Sequence, residues 1–136
     1  MAATRASEGP YRPSRDERDL RIAAVDIGSN SIRQIVADVF PDGEIRIVDE
    51  MKAAPRLGAG VTKNGALGEK QMDEAGAAVT RMATLARQIG AKRIEVVGDA
   101  DSNGIPEVAV LATRNSDDRA VVEIRNAFGP AQTTLL

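Results

Sequence analysis

A chain of 136 residues with 18 basic and 20 acidic side chains, net charge -2, suits one domain or one small domain with an appendage, and has no global field to draw in nucleic acid or a membrane surface. Cysteine and histidine are both absent, which excludes disulfides, thiolate sites, imidazole catalysis and histidine-bound zinc and leaves carboxylates, lysine, hydroxyls and bound water as the chemistry. Tyr11, Phe40 and Phe128 are the only aromatics, too few for a base-stacking platform, and no apolar run approaches the roughly 20 residues of a membrane-spanning helix, so the expected address is the cytoplasm.

Residues 1–19 mix Pro10, Pro13, Gly9 and serines with charges of both signs and no apolar periodicity, which predicts a flexible leader. Leu20 to Ile27 reads as a buried strand, and Ser31 to Phe40 as a second strand rich in branched residues. Between them, Gly28-Ser-Asn-Ser31 has the anatomy of a phosphate-binding turn. Gly28 lets a backbone approach an anion closely, amides around Ser29 and Asn30 can point at phosphate oxygens, and the Ser29 and Ser31 hydroxyls add neutral donors. Asp26, near the end of the first strand, is placed to hold a magnesium ion or its water.

Pro41-Asp42-Gly43 signals a tight hairpin into a third strand, Glu44 to Lys52. Strict alternation there places Ile45, Ile47 and Met51 on one face and Arg46, Val48 and Glu50 on the other. Ala53 to Gly68, with Pro55 and repeated glycines, predicts a loop carrying Arg56, whose guanidinium can grip a phosphate with two parallel donors. From Glu69 to Ile89, Met72, Ala75, Val79, Met82, Ala83, Ala86 and Ile89 recur at helical spacing, and Gly90 is a natural stop. Lys92 to Gly98 reads as a strand returned parallel to the first by this crossover helix.

Asp26-Ile-Gly-Ser-Asn-Ser-Ile-Arg33, Asp49-Glu-Met-Lys52, Arg56-Leu-Gly-Ala-Gly60 and the helix running into Arg87-Gln-Ile-Gly-Ala-Lys-Arg-Ile-Glu-Val-Val97 together resemble the opening of the Ppx/GppA family, the exopolyphosphatases and guanosine pentaphosphate phosphohydrolases of the actin-like ATPase superfamily. The resemblance runs from about Leu20 to Val97. It implies an α/β fold, a partial actin-like (ribonuclease H-like) lobe of three meandering strands, crossover helix and further strand. It also implies hydrolysis of terminal phosphoanhydrides with magnesium, with polyphosphate or a guanosine nucleotide as substrate. By the same resemblance Gly28, Ser29, Asn30 and Ser31 form a first phosphate cradle and Asp26 is the catalytic carboxylate beside the metal, whereas Arg56 is either a phosphate contact or a solvated loop arginine. Arg33 follows the family pattern, whereas Gln34 stands where an apolar residue is usual. The family's acidic catalytic region and second phosphate loop are not matched, so the expectation for this chain is an incomplete site. A partner lobe or a homodimer could complete it, and a non-catalytic phosphate-binding fragment is the alternative.

After Val97 the chain reads Gly98-Asp-Ala-Asp-Ser-Asn-Gly-Ile-Pro-Glu107 and then two short strands around the turn Asn115-Ser-Asp-Asp118, a β-hairpin over residues 99–136. The segment resembles one FG-GAP-type calcium-loop repeat. In that reading Asp99, Asp101, Asn103 and Glu107 converge on calcium, the Ile105 carbonyl completes the cage, and the tail is an interaction module. The competing reading takes Asp99 to Gly104 as a shortened remnant of a stretch that the Ppx/GppA family carries after this strand. Exposed strand edges in such a half-domain predict self-association.

Overall fold

In the computed structural model, which describes residues 20–28, 30–59, 67–98, 109–125 and 132–136, the first strand β1 runs Leu20–Ile27 and turns antiparallel into β2, Ile32–Val39. The hairpin at Pro41-Asp42-Gly43 leads to β3, Ile45–Ala53. The Phe40 N–H donates to the Glu44 carbonyl, the Gly43 N–H returns to the Phe40 carbonyl, and Gly43 takes φ +90, which glycine adopts without steric cost. A helix, α1, spans Glu69–Gln88, and the strand after it, β4 (Arg93–Gly98), lies parallel to β1. The sheet order is β3-β2-β1-β4.

One face of this sheet is dictated by alternation. Ala23, Val25 and Ile27 of β1, Ile32 and Val36 of β2 and Ile94 of β4 are buried against the Met72, Ala75, Val79, Met82, Ala83 and Ala86 stripe of α1. A helix with one apolar stripe and a sheet with one apolar face have no better way to remove both from water. The helix ends in a Schellman closure: the Gly90 N–H bonds the Arg87 carbonyl, the Ala91 N–H bonds the Ala86 carbonyl, and Gly90 sits at φ +96. That closure corrects one expectation. Ile89 is the C-cap, beyond the last helical turn, and is 36 % exposed rather than part of the core stripe.

The face assignment of β3 is also corrected. Val36 pairs with Asp49 but Ala37 pairs with Ile47, so Val48 is the extra residue of a β-bulge and the alternation changes phase there. Met51 stays against the core, whereas Ile45 and Ile47 fall on the opposite, outer face and are 66 % and 56 % exposed.

Two polar devices tie the layers together. The Arg21 guanidinium forks onto both oxygens of buried Asp38, at 2.7 and 2.9 Å, and reaches the Ile89 carbonyl at 2.5 Å, joining β1, β2 and the helix terminus. Gln34, fully buried under α1, donates from Nε2 to the Met82 carbonyl at 2.8 Å, while its Oε1 finds no partner among the described residues. A buried acceptor without a donor costs about 1–3 kcal/mol. Replacing Gln34 with the similar-sized methionine is therefore expected to raise stability by about 1 kcal/mol, read as a rise of about 3 °C in the thermal midpoint. A lower midpoint would mean that the bond to the helix outweighs the orphaned oxygen.

A second antiparallel sheet, β5-β6-β7, is formed by Ala109–Arg114, Ala120–Arg125 and Gln132–Leu135. The β5–β6 hairpin is the one expected from sequence, and Asn115 closes its turn by accepting the Asp117 and Arg119 amides on Oδ1. The third strand, β7, completes the sheet. Ala120, Val122, Ile124 and Leu136 join the same apolar cluster as α1 and the first sheet. A charge network fastens the hairpin to β4: Glu95 accepts from Arg93 and from Arg114 (2.8 Å), Arg93 also meets Asp118 at 3.1 Å, and Arg114 donates to the Ile94 carbonyl at 2.7 Å.

The Arg93 hydrogen bond, followed by the charge of Arg114, holds the Glu95 carboxyl below its ordinary value of 4.5, against the opposing cost of its partial burial. A depressed carboxylate stabilises the fold above its unfolded-state pKa, and that contribution is lost as pH falls through the folded-state value. Glu95→Gln is expected to lower stability by at most about 1 kcal/mol at neutral pH, since the network is half exposed and screened. In urea melts the gap between variant and wild type should close as pH drops below the ordinary glutamate range. A gap independent of pH would assign the loss to packing instead.

Candidate phosphate-binding site

The C-terminal end of β1 delivers a carboxylate and then a tight turn. Asp26 is exposed on the outer sheet face, and its parity follows from Val25 and Ile27, which are fixed in the core on either side. In the pairing register Asp26 lies between Val97 of β4 and Arg33 of β2, and Arg33 lies beside Lys52 of β3. A row across the outer face therefore reads Val97, Asp26, Arg33, Lys52, placing one carboxylate next to two cations. Sequence reading attaches no role to Lys52, because only the register of three strands brings it into this row.

At the turn, the Gly28 N–H donates to the Ser31 carbonyl at 2.9 Å, which closes the loop and commits that amide within the protein. A Cβ on Gly28 would stand 3.2 Å from the Ser31 carbonyl oxygen, a contact so tight that the turn would have to give. Glycine is favoured here by the closeness of the two backbones and not by its φ, which is not in the left-handed region. Asn30 is exposed at the tip, Ser31 is half-buried, and Ser29 lies outside the described residues.

The chain after β3 returns to this turn. The Arg56 N–H donates to the Asn30 carbonyl at 3.2 Å, so two segments separated by the whole β2–β3 hairpin meet at one end of the sheet. Leu57, only 2 % exposed, and buried Pro55 anchor the loop on either side of Arg56, while Arg56 itself is exposed. Arg56 has φ +54, a conformation that costs an L residue about 1–2 kcal/mol. The Ala59 N–H closes the next turn onto the Arg56 carbonyl at 3.1 Å.

The structure thus brings Asp26, Gly28, Asn30, Ser31 and Arg56 to one end of the first sheet. The calcium-loop residues Asp99, Asp101, Asn103, Ile105 and Glu107 lie outside the described residues. Among the described residues no cluster of three or more acidic side chains is placed to hold a metal ion. Asp26, exposed beside the turn, is a single acidic side chain that a metal ion could reach there. No helix among the described residues is long and apolar enough to cross a membrane.

No protein-family model matches this chain, and no curated protein matches it. Solved structures do. The Aquifex aeolicus PPX-GPPA enzyme superposes with a TM-score of 0.54 at 16% identity, over 84% of this chain and 52% of that one. An exopolyphosphatase from Cytophaga hutchinsonii gives a TM-score of 0.54 at 15% identity, over 83% and 49%. An exopolyphosphatase-like protein matches at 25% identity with a TM-score of 0.53, over 58% of this chain and 24% of that one. The likeness establishes the fold: a mixed α/β arrangement matching a partial actin-like lobe of the Ppx/GppA phosphatases. The chain spans about half the length of the Aquifex and Cytophaga proteins.

Proposed function

We propose that this chain carries the first phosphate-binding half of a Ppx/GppA-type phosphohydrolase, acting on the terminal phosphoanhydride of polyphosphate or guanosine pentaphosphate with magnesium. The observation that supports it most is the hydrogen bond from the Arg56 amide to the Asn30 carbonyl, because it sets an arginine loop against the turn that follows Asp26. Such a fixed contact is what an anion cradle needs: donors held in place before the ligand arrives, so that little ordering is left to be done on binding.

In this reading the Asn30 and Ser31 backbone, with the hydroxyls of Ser29 and Ser31, surrounds the phosphoryl oxygens, and the Arg56 guanidinium lies across them as a two-donor fork. Asp26 holds or orients the water that attacks in line with the leaving oxygen. Magnesium, when bound, neutralises charge on the phosphate oxygens, and Asp26 is the residue that would hold it. Arg33 and Lys52 keep the surroundings of Asp26 cationic, which favours approach of an anionic substrate. A second lobe, from another copy or another chain, would cover the opposite side of the phosphate.

The test is phosphate release from polyphosphate and from guanosine pentaphosphate, with magnesium, by the purified chain and by Asp26→Ala. Turnover that falls at least 100-fold in the variant supports the enzyme reading. The second reading is a phosphate binder without turnover. Absent turnover together with phosphate binding lost in Asn30→Ala would select it, and folded protein with neither property would reject both.

A further inference from the structure

Five cations drawn from four elements or connections line one concavity at the other end of the sheet. Arg87 comes from the last turn of α1, Lys92 and Arg93 from the junction into β4 and its first position, Arg114 from the end of β5, and Arg119 from the turn into β6. The cavity holds about 230 Å³. Among the described residues Asp117 and Asp118 oppose them in the lining and Glu95 pairs with Arg93 and Arg114, so cations still outnumber carboxylates there, although the chain as a whole has net charge -2. Positive charge has thus been gathered locally against the global balance. It is also held in place: the main-chain oxygen of Leu136 accepts from Arg87 and, at 3.4 Å, from Arg119, while Ile94 and Asp118 carbonyls fix Arg114. Among the described residues the Lys92 ammonium makes no ion pair.

The pocket is separate from the cradle. Arg93 pairs with Ile22 at the start of β1, whereas Asp26 lies four positions further along the same strand, about 13 Å away at the rise of a β-strand. We propose that this pocket binds a small multivalent phosphate, gripped by Lys92 and the guanidinium of Arg119 with Arg87 and Arg93 behind them. Nucleic acid fits poorly, because the concavity is small and, among the described residues, its lining has no aromatic side chain. Guanidinium forks and a free ammonium around a concave wall suit compact tetrahedral oxyanions.

The experiment is an amide NMR titration of the full chain with pyrophosphate, without divalent cations and at fixed ionic strength. Expected are saturable shifts at Lys92, Arg93, Asp118 and Arg119, with affinity at least 10-fold weaker in Lys92→Gln/Arg119→Gln and unchanged in Asp26→Ala. Both substituted side chains are exposed, so the variant keeps its fold, which its own amide spectrum checks; Lys92→Gln alone should give a smaller weakening in the same direction. Shifts confined to residues 28–31, unchanged affinity in the double variant, or shifts reproduced by sodium chloride at equal ionic strength would overturn the proposal. Failure of the cradle reading would look different, since it would leave these shifts in place and remove those at Asn30 and Ser31.

Discussion

Arg56→Gly is expected to make the protein more stable while depriving the β1–β2 turn of its grip on phosphate, and Arg56→Ala should lose the same grip with no gain in stability. The two outcomes separate because the residue carries two independent properties. Its backbone sits at φ +54, where glycine is at ease and both arginine and alanine bear a penalty of about 1–2 kcal/mol. Its guanidinium, exposed at the tip of the loop, is the fork assigned to the phosphate. A charge-assisted contact of this kind contributes about 1.5–3 kcal/mol, so either substitution should weaken phosphate binding at the turn by roughly 10- to 100-fold. Thermal melts read the first property, and shifts of the Asn30 and Ser31 amides on titration with pyrophosphate read the second. Strain retained beside a candidate ligand is what a selected arginine would leave behind. If both variants bind as tightly as the wild type, Arg56 is a solvated loop residue and the cradle reduces to the turn alone.

Much of this architecture is legible along the chain because local chemistry and tertiary packing agree. The apolar stripe from Met72 to Ala86, the glycine stop at Gly90 and the Pro-Asp-Gly turn each follow from periodicity or from a φ that only certain residues tolerate. What sequence does not carry is pairing. The bulge at Val48 reverses the faces of Ile45 and Ile47, and it exists only relative to the partner residues Val36 and Ala37. Strand β7, Gln-Thr-Thr-Leu, is short and largely polar, so it has no alternation long enough to read; it becomes a strand by pairing with β6. The candidate site divides in the same way. The turn after Asp26 can be recognised in one dimension, whereas the approach of Arg56 to Asn30, the row from Asp26 to Lys52 and the five-cation pocket are products of register and packing.

Ile124→Ala should produce one of the largest losses of stability in the chain, about 2–5 kcal/mol, and the loss should be felt by both sheets together. Ile124 is completely buried in β6, and it belongs to one apolar cluster with Ala86 and Met82 of α1 and with Val25 and Ile27 of β1. A cavity opened there removes contacts that neither sheet can replace, because protein interiors relax only partly around a deleted side chain. Set against a typical stability of about 5–15 kcal/mol, such a change is a large fraction of the whole. The mode of unfolding follows from the shared core: denaturation monitored at amides of β1 and of β6 should give coincident transitions, shifted together by the substitution. Coincidence would mean that the second sheet is part of what holds Asp26 and its turn in place, acting through α1 rather than through contact. Two separate transitions, with β6 melting first and β1 unaffected by Ile124→Ala, would instead make the first sheet and its helix a self-sufficient unit, with the second sheet an appendage fastened mainly by Glu95, Arg93 and Arg114.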